Sequence, residues 1–312
     1  MTAQLPAKHP AQAQGRRVRQ PRVWQLAAPV ALLAILAACS TPAPSALSGP
    51  AAPTGTALWL LGELHDNAAG HALRLQTLTR LIAAGARPAL LMEQFDRELQ
   101  PAIEREQQHA PGMPPGDAAV GAKLDAELDA AVDALVRLGS PADGTASWDW
   151  ALYRPVLRLA LQYRLPIVAA NVSRRDARQV IAQGLAATGF DPKVPADLAD
   201  AQAAAIVASH CGQVSAAQAG RMALAQVARD QFMARQVERY AGRGVVLLAG
   251  NGHVRKDLGL ARWLSTESRH RSWAIAYLEP NSDAVQAFDE VLLVPAQPRD
   301  DPCKAMSMSR PG

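Results

Sequence analysis

The sequence predicts an α/β fold, a mostly parallel sheet flanked by helices with a helical sub-domain inserted. Two observations carry this expectation. Short apolar runs alternate with longer segments that space their apolar residues helically, as a parallel sheet covered on both faces requires. Polar and titratable residues then follow directly after the apolar runs. An open α/β sheet places its ligands there, outside the carboxyl ends of its strands. One such arrangement occurs twice. Ala57–Leu61 runs into Gly62-Glu63-Leu64-His65, and Val245–Ala249 runs into Gly250-Asn251-Gly252-His253. Both copies read as strand, Gly-x-x-His, helix.

In chain order, a leader precedes the fold. Met1–Arg22 carries five basic residues and no acidic one, and Val23–Ala38 is almost wholly apolar. That combination reads as a secretory signal over residues 1–38. The apolar run is shorter than the ~20 residues of a membrane-spanning helix. Leu36-Ala37-Ala38-Cys39 looks like a bacterial lipobox, whose cysteine is lipidated and tethers the protein to a membrane. An ordinary signal peptide with an incidental cysteine is the alternative. Ser40 after Cys39 points to the outer membrane, facing the periplasm. Residues 39–56, rich in Pro, Ser, Ala and Gly, read as a flexible tether. Residues 57–296 form the α/β domain, with helical insertions at about 110–163 and 190–240, and 297–312 form a tail.

The leader takes five of the 32 basic residues with it, leaving 27 against 28 acidic ones. The remainder is near neutral and has no basic stripe, which argues against nucleic-acid binding. Cys211 and Cys303 remain. An exported protein meets an oxidising compartment, so a disulfide between them is expected over free thiols or a ligand role for Cys211 with His210.

The first strand, Ala57–Leu61, is followed by a helix over Ala68–Ala84 that Gly85 closes. Pro88–Met92 is a second buried strand, and Asp96–His109 a helix. Asp117–Leu138 is Ala-rich and amphipathic, and Trp148-Asp149-Trp150 leads into a helix through Tyr163. Pro166–Ala170 is the third strand, Arg174–Ala187 a helix, and Asp197–Ser209 and Ala216–Tyr240 two more. Val245–Ala249 is the fourth strand and Val254–Leu264 its helix. Ser272–Leu278 is the fifth strand, and Asp289–Pro295 a short last one.

The carboxyl ends of these strands present Glu63, His65, Asp66, Glu93, Asn171, Asn251, His253 and Glu279. Unrelated surface residues would not choose one edge each time. Glu63, His65, Glu93 and His253 could hold a divalent metal that activates water, with a carboxylate as general base. A structural network of hydrogen bonds is the competing reading. No HExxH or CxxC spacing is present, so the metal is less well marked than the site. Trp148 and Trp150 with Tyr153 read as packing, or as the wall of a flat aromatic ligand with Tyr153 as an iron ligand. His71, His109 and His270 read as solvent-facing, and His210 as a helix-end residue. Arg229-Asp230 reads as an exposed pair, or as a clamp on a carboxylate.

Five motifs occur in order. They are Leu61 to Asn67 (LGELHDN), Met92 to Arg97 (MEQFDR), Ala169-Ala170-Asn171, Arg229 to Ala234 (RDQFMA) and Gly250 to Val254 (GNGHV). Together they resemble the ChaN family of haem-binding uptake lipoproteins. That family looks like a branch of a superfamily with the Tiki and TraB proteins and the erythromycin-esterase-like enzymes. The resemblance covers roughly Leu58–Leu293. It implies a role in bacterial haem or iron uptake, with haem as cofactor and haem transport machinery as partner. It also implies a homodimer enclosing the haems. Glu63, His65, Glu93, Asn251 and His253 fall in the shared motifs. The resemblance implies a tyrosine ligand to the haem iron but places it in no motif. Tyr153 is chosen for its neighbours Trp148 and Trp150, with Tyr163 and Tyr240 as rivals. His65, His253, Asn251 and Arg229 would line the haem. The resemblance extends to proposed metal-dependent hydrolases, so a hydrolase remains the second expectation.

Overall fold

The computed structural model describes residues 57–111, 118–140, 148–280, 282, 285–301 and 303–304. The signal segment, Cys39 and the tether lie outside the described residues. Among those described, the strands are β1 (Leu58–Leu61), β2 (Ala89–Asp96), β3 (Ile167–Asn171), β4 (Val245–Leu248), β5 (Ser272–Leu278) and β6 (Glu290–Leu293). They form one sheet in the order β3-β2-β4-β1-β5-β6, and every described pairing is parallel.

The helices are α1 (Ala68–Ala83), α2 (Gln100–His109), α3 (Ala118–Gly139), α4 (Trp150–Gln162), α5 (Arg174–Gln183), α6 (Ala196–Ser209), α7 (Ala216–Tyr240), α8 (Asn251–Val254) and α9 (Thr266–Arg271). Their starts follow from local chemistry. Asn67 caps α1 by accepting from the Gly70 amide, and Asp149 caps α4 by accepting from Ala151. Ser215 and Gln218 form a reciprocal capping box on α7. None of the described helices is long and apolar enough to cross a membrane.

Period-two alternation along the strands loads both faces. Leu61, Leu90, Met92 and Leu248 pack with Leu78 of α1, Leu128 and Leu135 of α3 and Leu157 of α4. Leu58, Leu60, Leu91 and Leu247 face the other way, onto Met233 and Val237 of α7. The chain leaves β1 toward β2 but leaves β4 toward β5, in opposite directions across the sheet. Because β1 and β4 are neighbours, the two Gly-x-x-His loops meet at the topological switch point. A crevice opens there in folds of this kind.

Four boundaries differ from expectation. Asp96 stays in β2, where the register against β3 shifts between Met92 and Asp96, and a 3-10 turn precedes α2. This extension carries Glu93 and Gln94 past the end of β3's regular pairing. α5 stops at Gln183 because Gly184 turns to φ +83°. The helix expected over Val254–Leu264 is replaced by the short α8 and a 3-10 turn at Leu260–Trp263. The Lys256 amide donates to Ala287 instead of a helical acceptor, and Gly259 lies so close to the His253 carbonyl that a Cβ would collide. α9, capped by Ser265, carried no clear periodicity in a segment of six residues.

Candidate functional site

Two linked groups of polar side chains sit at the switch point. The first centres on Glu63, just past β1 and only 2% exposed. Its Oε1 accepts from His65 Nδ1 at 2.6 Å, from the Tyr153 hydroxyl at 2.6 Å and from Gln94 Nε2 at 3.1 Å. Its Oε2 faces the buried guanidinium of Arg74, on α1. Burial pushes the Glu63 carboxyl up, but Arg74, His65 and Tyr153 outweigh it and hold the pKa below its usual value. The carboxylate is therefore a fixed charge. His71 completes this layer, donating from Nε2 to the His65 carbonyl and accepting from Arg74 at Nδ1. Burial, then Arg74, lowers the His71 pKa, so its ring is neutral.

The second group lies under β4. His253 donates from Nδ1 to Asp230 at 2.7 Å, and its Nε2 lies 3.4 Å from Glu93. Glu93 also accepts from the Gly250 amide at 2.7 Å. Burial pulls the His253 pKa down, but the carboxylates of Glu93 and Asp230 overcome it and push it up to about 10. Burial likewise opposes ionisation of Glu93, yet His253, with His65 and the Gly250 amide, holds it at about 2. His253 is thus an imidazolium between Glu93 and Asp230; burial raises the Asp230 pKa against the pull of His253.

The groups meet at Gly250. A Cβ there would approach His65 Nε2 to 3.3 Å and Glu93 Oε2 to 3.6 Å. The His65 ring packs edge-on against Trp148, with centroids 4.7 Å apart. Its side chain is 49% exposed, against 13% for His253. Burial lowers the His65 pKa, but the bond to Glu63 and the charges of Glu63 and Glu93 raise it overall.

Residues 54–264 match the family model described as haem-binding uptake, Tiki superfamily, ChaN. The chain belongs to the ChaN family. No curated protein matches it significantly. Among solved structures, this ChaN-family chain is similar to ChaN of Campylobacter jejuni in a structure of cofacial haem binding. The TM-score is 0.57 at 15% identity, covering 76% of this chain and 87% of that one. That likeness shows the fold. Weaker likenesses are to the type III effector HopBA1 (TM-score 0.37, 13% identity, 77% and 88% covered) and to an erythromycin esterase EreC variant (0.41, 12%, 72% and 71%).

Within this ChaN-family site, the expected residues separate. Glu63, His65, Glu93 and His253 do converge, and Tyr153 joins them through Glu63. Tyr153 is fully buried, and burial, reinforced by Glu63, raises its pKa. Asn251 instead brackets β5, bonding both the carbonyl and the amide of Tyr277. A Cβ at Gly62 would collide with it. Asp66 and Glu279 are held by Arg299 of the tail, and Asn171 bonds the Val172 amide. Arg229 is half-buried near Asp96 and Asp230. Its neighbour Asp230 is only 1% exposed, not part of an exposed pair. Cys211 and Cys303 form a disulfide.

The divalent-metal expectation finds no support in this geometry. Among the described residues, no group of three or more His, Cys, Asp or Glu is placed to hold a metal ion. The carboxylates already face Arg74 and His253. Arg74, Gln94 and His71 were missed in the sequence. His71 was expected at the surface and is buried, since it lies with Arg74 and Leu78 on the inward face of α1. That i, i+3, i+7 spacing was the available signal.

Proposed function

We propose that this protein is a lipid-anchored, haem-binding protein of bacterial haem and iron uptake. Membership of the ChaN family over residues 54–264 carries this reading. The site fits the group. Flat aromatic surface at Trp148 borders a half-exposed histidine whose Nδ1 is tied to a carboxylate, the usual arrangement of a metal-binding imidazole. Haem supplies an iron centre as cargo. The chain's own residues hold and orient it, and no bond-breaking step is asked of them. In this reading Cys39 bears the lipid, the protein faces the periplasm from the outer membrane, and two copies enclose the haems. Transport machinery receives the haem. The cofacial haem binding of the Campylobacter jejuni protein supports the paired arrangement.

The test is a haemin titration of the purified protein followed by absorbance. Saturable, stoichiometric binding with a Soret shift is expected; an unshifted spectrum at every ratio sinks the reading. For the anchor, Cys39→Ser should move the protein from the membrane fraction to the soluble one.

A further inference from the structure

We propose that the amino-terminal edge of the sheet is a docking surface for anionic phospholipid headgroups. The inference rests on the lipid-anchored reading and states how the anchored protein stands on its membrane. Every described pairing is parallel, so the strands begin along one edge. Arginines stand at the starts of four of them: Arg164 before β3, Arg87 before β2, Arg243 before β4 and Arg271 before β5. From β3 to β5 the row spans about 19 Å at the usual strand spacing. Arg239 near the end of α7 and Arg269 in α9 lie beside the starts of β4 and β5. In sequence these arginines are scattered and form no basic run; the sheet assembles them.

Capping of helix ends explains the placement of these side chains but not their charge. Arg87 donates to the Ile82 and Ala86 carbonyls, Arg243 to that of Arg87, Arg271 to that of Ala241, and Arg269 to those of Ala261 and Leu264. A carbonyl takes an N–H and leaves the positive charge in place. Among the described residues, Arg87, Arg164, Arg239 and Arg243 have no ion-pair partner, and Arg271 has Glu267 at 3.4 Å. Glu238 is already occupied by Ser265 and Ser268. Glu104 and Glu106 lie further out, on α2 beyond β3, with Arg105 between them. Glu63, Asp66, Glu93 and Glu279 collect at the opposite edge, so a near-neutral chain is sorted into a basic edge and a carboxylate-rich one.

The chain itself names the occupant. Ala57 donates to the Arg271 carbonyl and accepts from the Val245 amide, so the segment leading from Cys39 enters the fold inside the arginine row, between β4 and β5. Residues 40–56 separate Cys39 from that point. A flexible chain of that length spans about 20–25 Å on average. A membrane holding Cys39 therefore meets this edge first, and each arginine near an anionic surface favours contact about fivefold. Tyrosines mark the same edge. Tyr163 is 38% exposed beneath Arg87, 5.3 Å from its ring centre, and Tyr240 lies beneath Arg239. Tyrosine suits a boundary that is apolar on one side and wet on the other. In this stance the switch-point site, at the opposite edge, faces away from the membrane.

The experiment is vesicle flotation with the chain from Ser40, which keeps every described residue and lacks both the basic leader and Cys39. It should float with vesicles of phosphatidylglycerol and phosphatidylcholine, not with phosphatidylcholine alone, and added salt should release it. Arg87→Glu with Arg243→Glu should weaken this binding at least about twentyfold. Arg164→Glu with Arg239→Glu, which removes no backbone hydrogen bond, should do the same and covers a failure of the first pair to fold. Arg154→Glu with Arg175→Glu makes the same charge change near the carboxyl ends of the strands and should keep binding within about threefold. Haemin titrations of all three pairs should match the unaltered chain. Equal flotation with both kinds of vesicle, no flotation with the anionic ones, or an equal loss in the third pair overturns the surface and leaves the anchor reading standing. Cys39 found without acyl groups in protein purified from membranes overturns the anchor, and the membrane partner with it.

Discussion

The two Gly-x-x-His loops are near copies in sequence and opposites in the folded protein. His65 follows β1, is half-exposed and gives one ring nitrogen to a carboxylate, Glu63. His253 follows β4, is buried, and spends both nitrogens on carboxylates. The difference lies in the neighbouring layer. Asp230 of α7 reaches His253 from below, whereas Trp148 only flanks His65. A repeated motif at a switch point thus divides its labour. One histidine staples the loops together, and the other stays half in water beside Trp148.

Removing a staple partner should have the largest effect. Asp230→Ala leaves a buried imidazolium short of a carboxylate and should cost about 3–5 kcal/mol in urea unfolding. A loss under ~1 kcal/mol would erase the contrast between the two histidines. Tyr153→Phe removes one neutral donor to the buried Glu63 carboxylate and should cost about 1.5–3 kcal/mol. His65→Ala removes another donor from the same carboxylate, but water can take the place of the half-exposed ring, so the cost should be smaller, about 1 kcal/mol.

The pH dependence sharpens the same contrast. His253 has a folded pKa of about 10 against an ordinary 6.5. Its stabilisation is complete below pH 6.5 and is lost as the pH climbs through about 10. Glu93, held at about 2 against an ordinary 4.5, stabilises above pH 4.5 and loses this as the pH falls toward 2. Urea midpoints across these two windows should fall for the wild type at both ends. In His253→Gln the alkaline fall should flatten. An unchanged alkaline slope in that variant would contradict the buried imidazolium.

Much of the site was legible from strand ends alone. Glu63, His65, Glu93 and His253 each follow an apolar run, and a parallel sheet gathers such positions at one edge. What periodicity underweighted was the helices' contribution. Arg74 and His71 sit on the inward face of α1, yet polar residues on a helix ordinarily signal its outer face. Gln94 was hidden because β2 runs past its expected end at Met92.

Local chemistry in the sequence determined where the strands run, which helices are capped, and which edge holds the titratable groups. Those follow from side-chain period, capping residues and the direction of a parallel sheet. Tertiary structure decided which histidine stays half-exposed, that Tyr153 turns its hydroxyl inward, and that Asn251 bonds the backbone of β5. Those outcomes depend on partners such as Asp230, Arg74 and Tyr277, distant in sequence. Only packing brings them within hydrogen-bonding distance, and in a buried site the nearest opposite charge sets both geometry and ionisation.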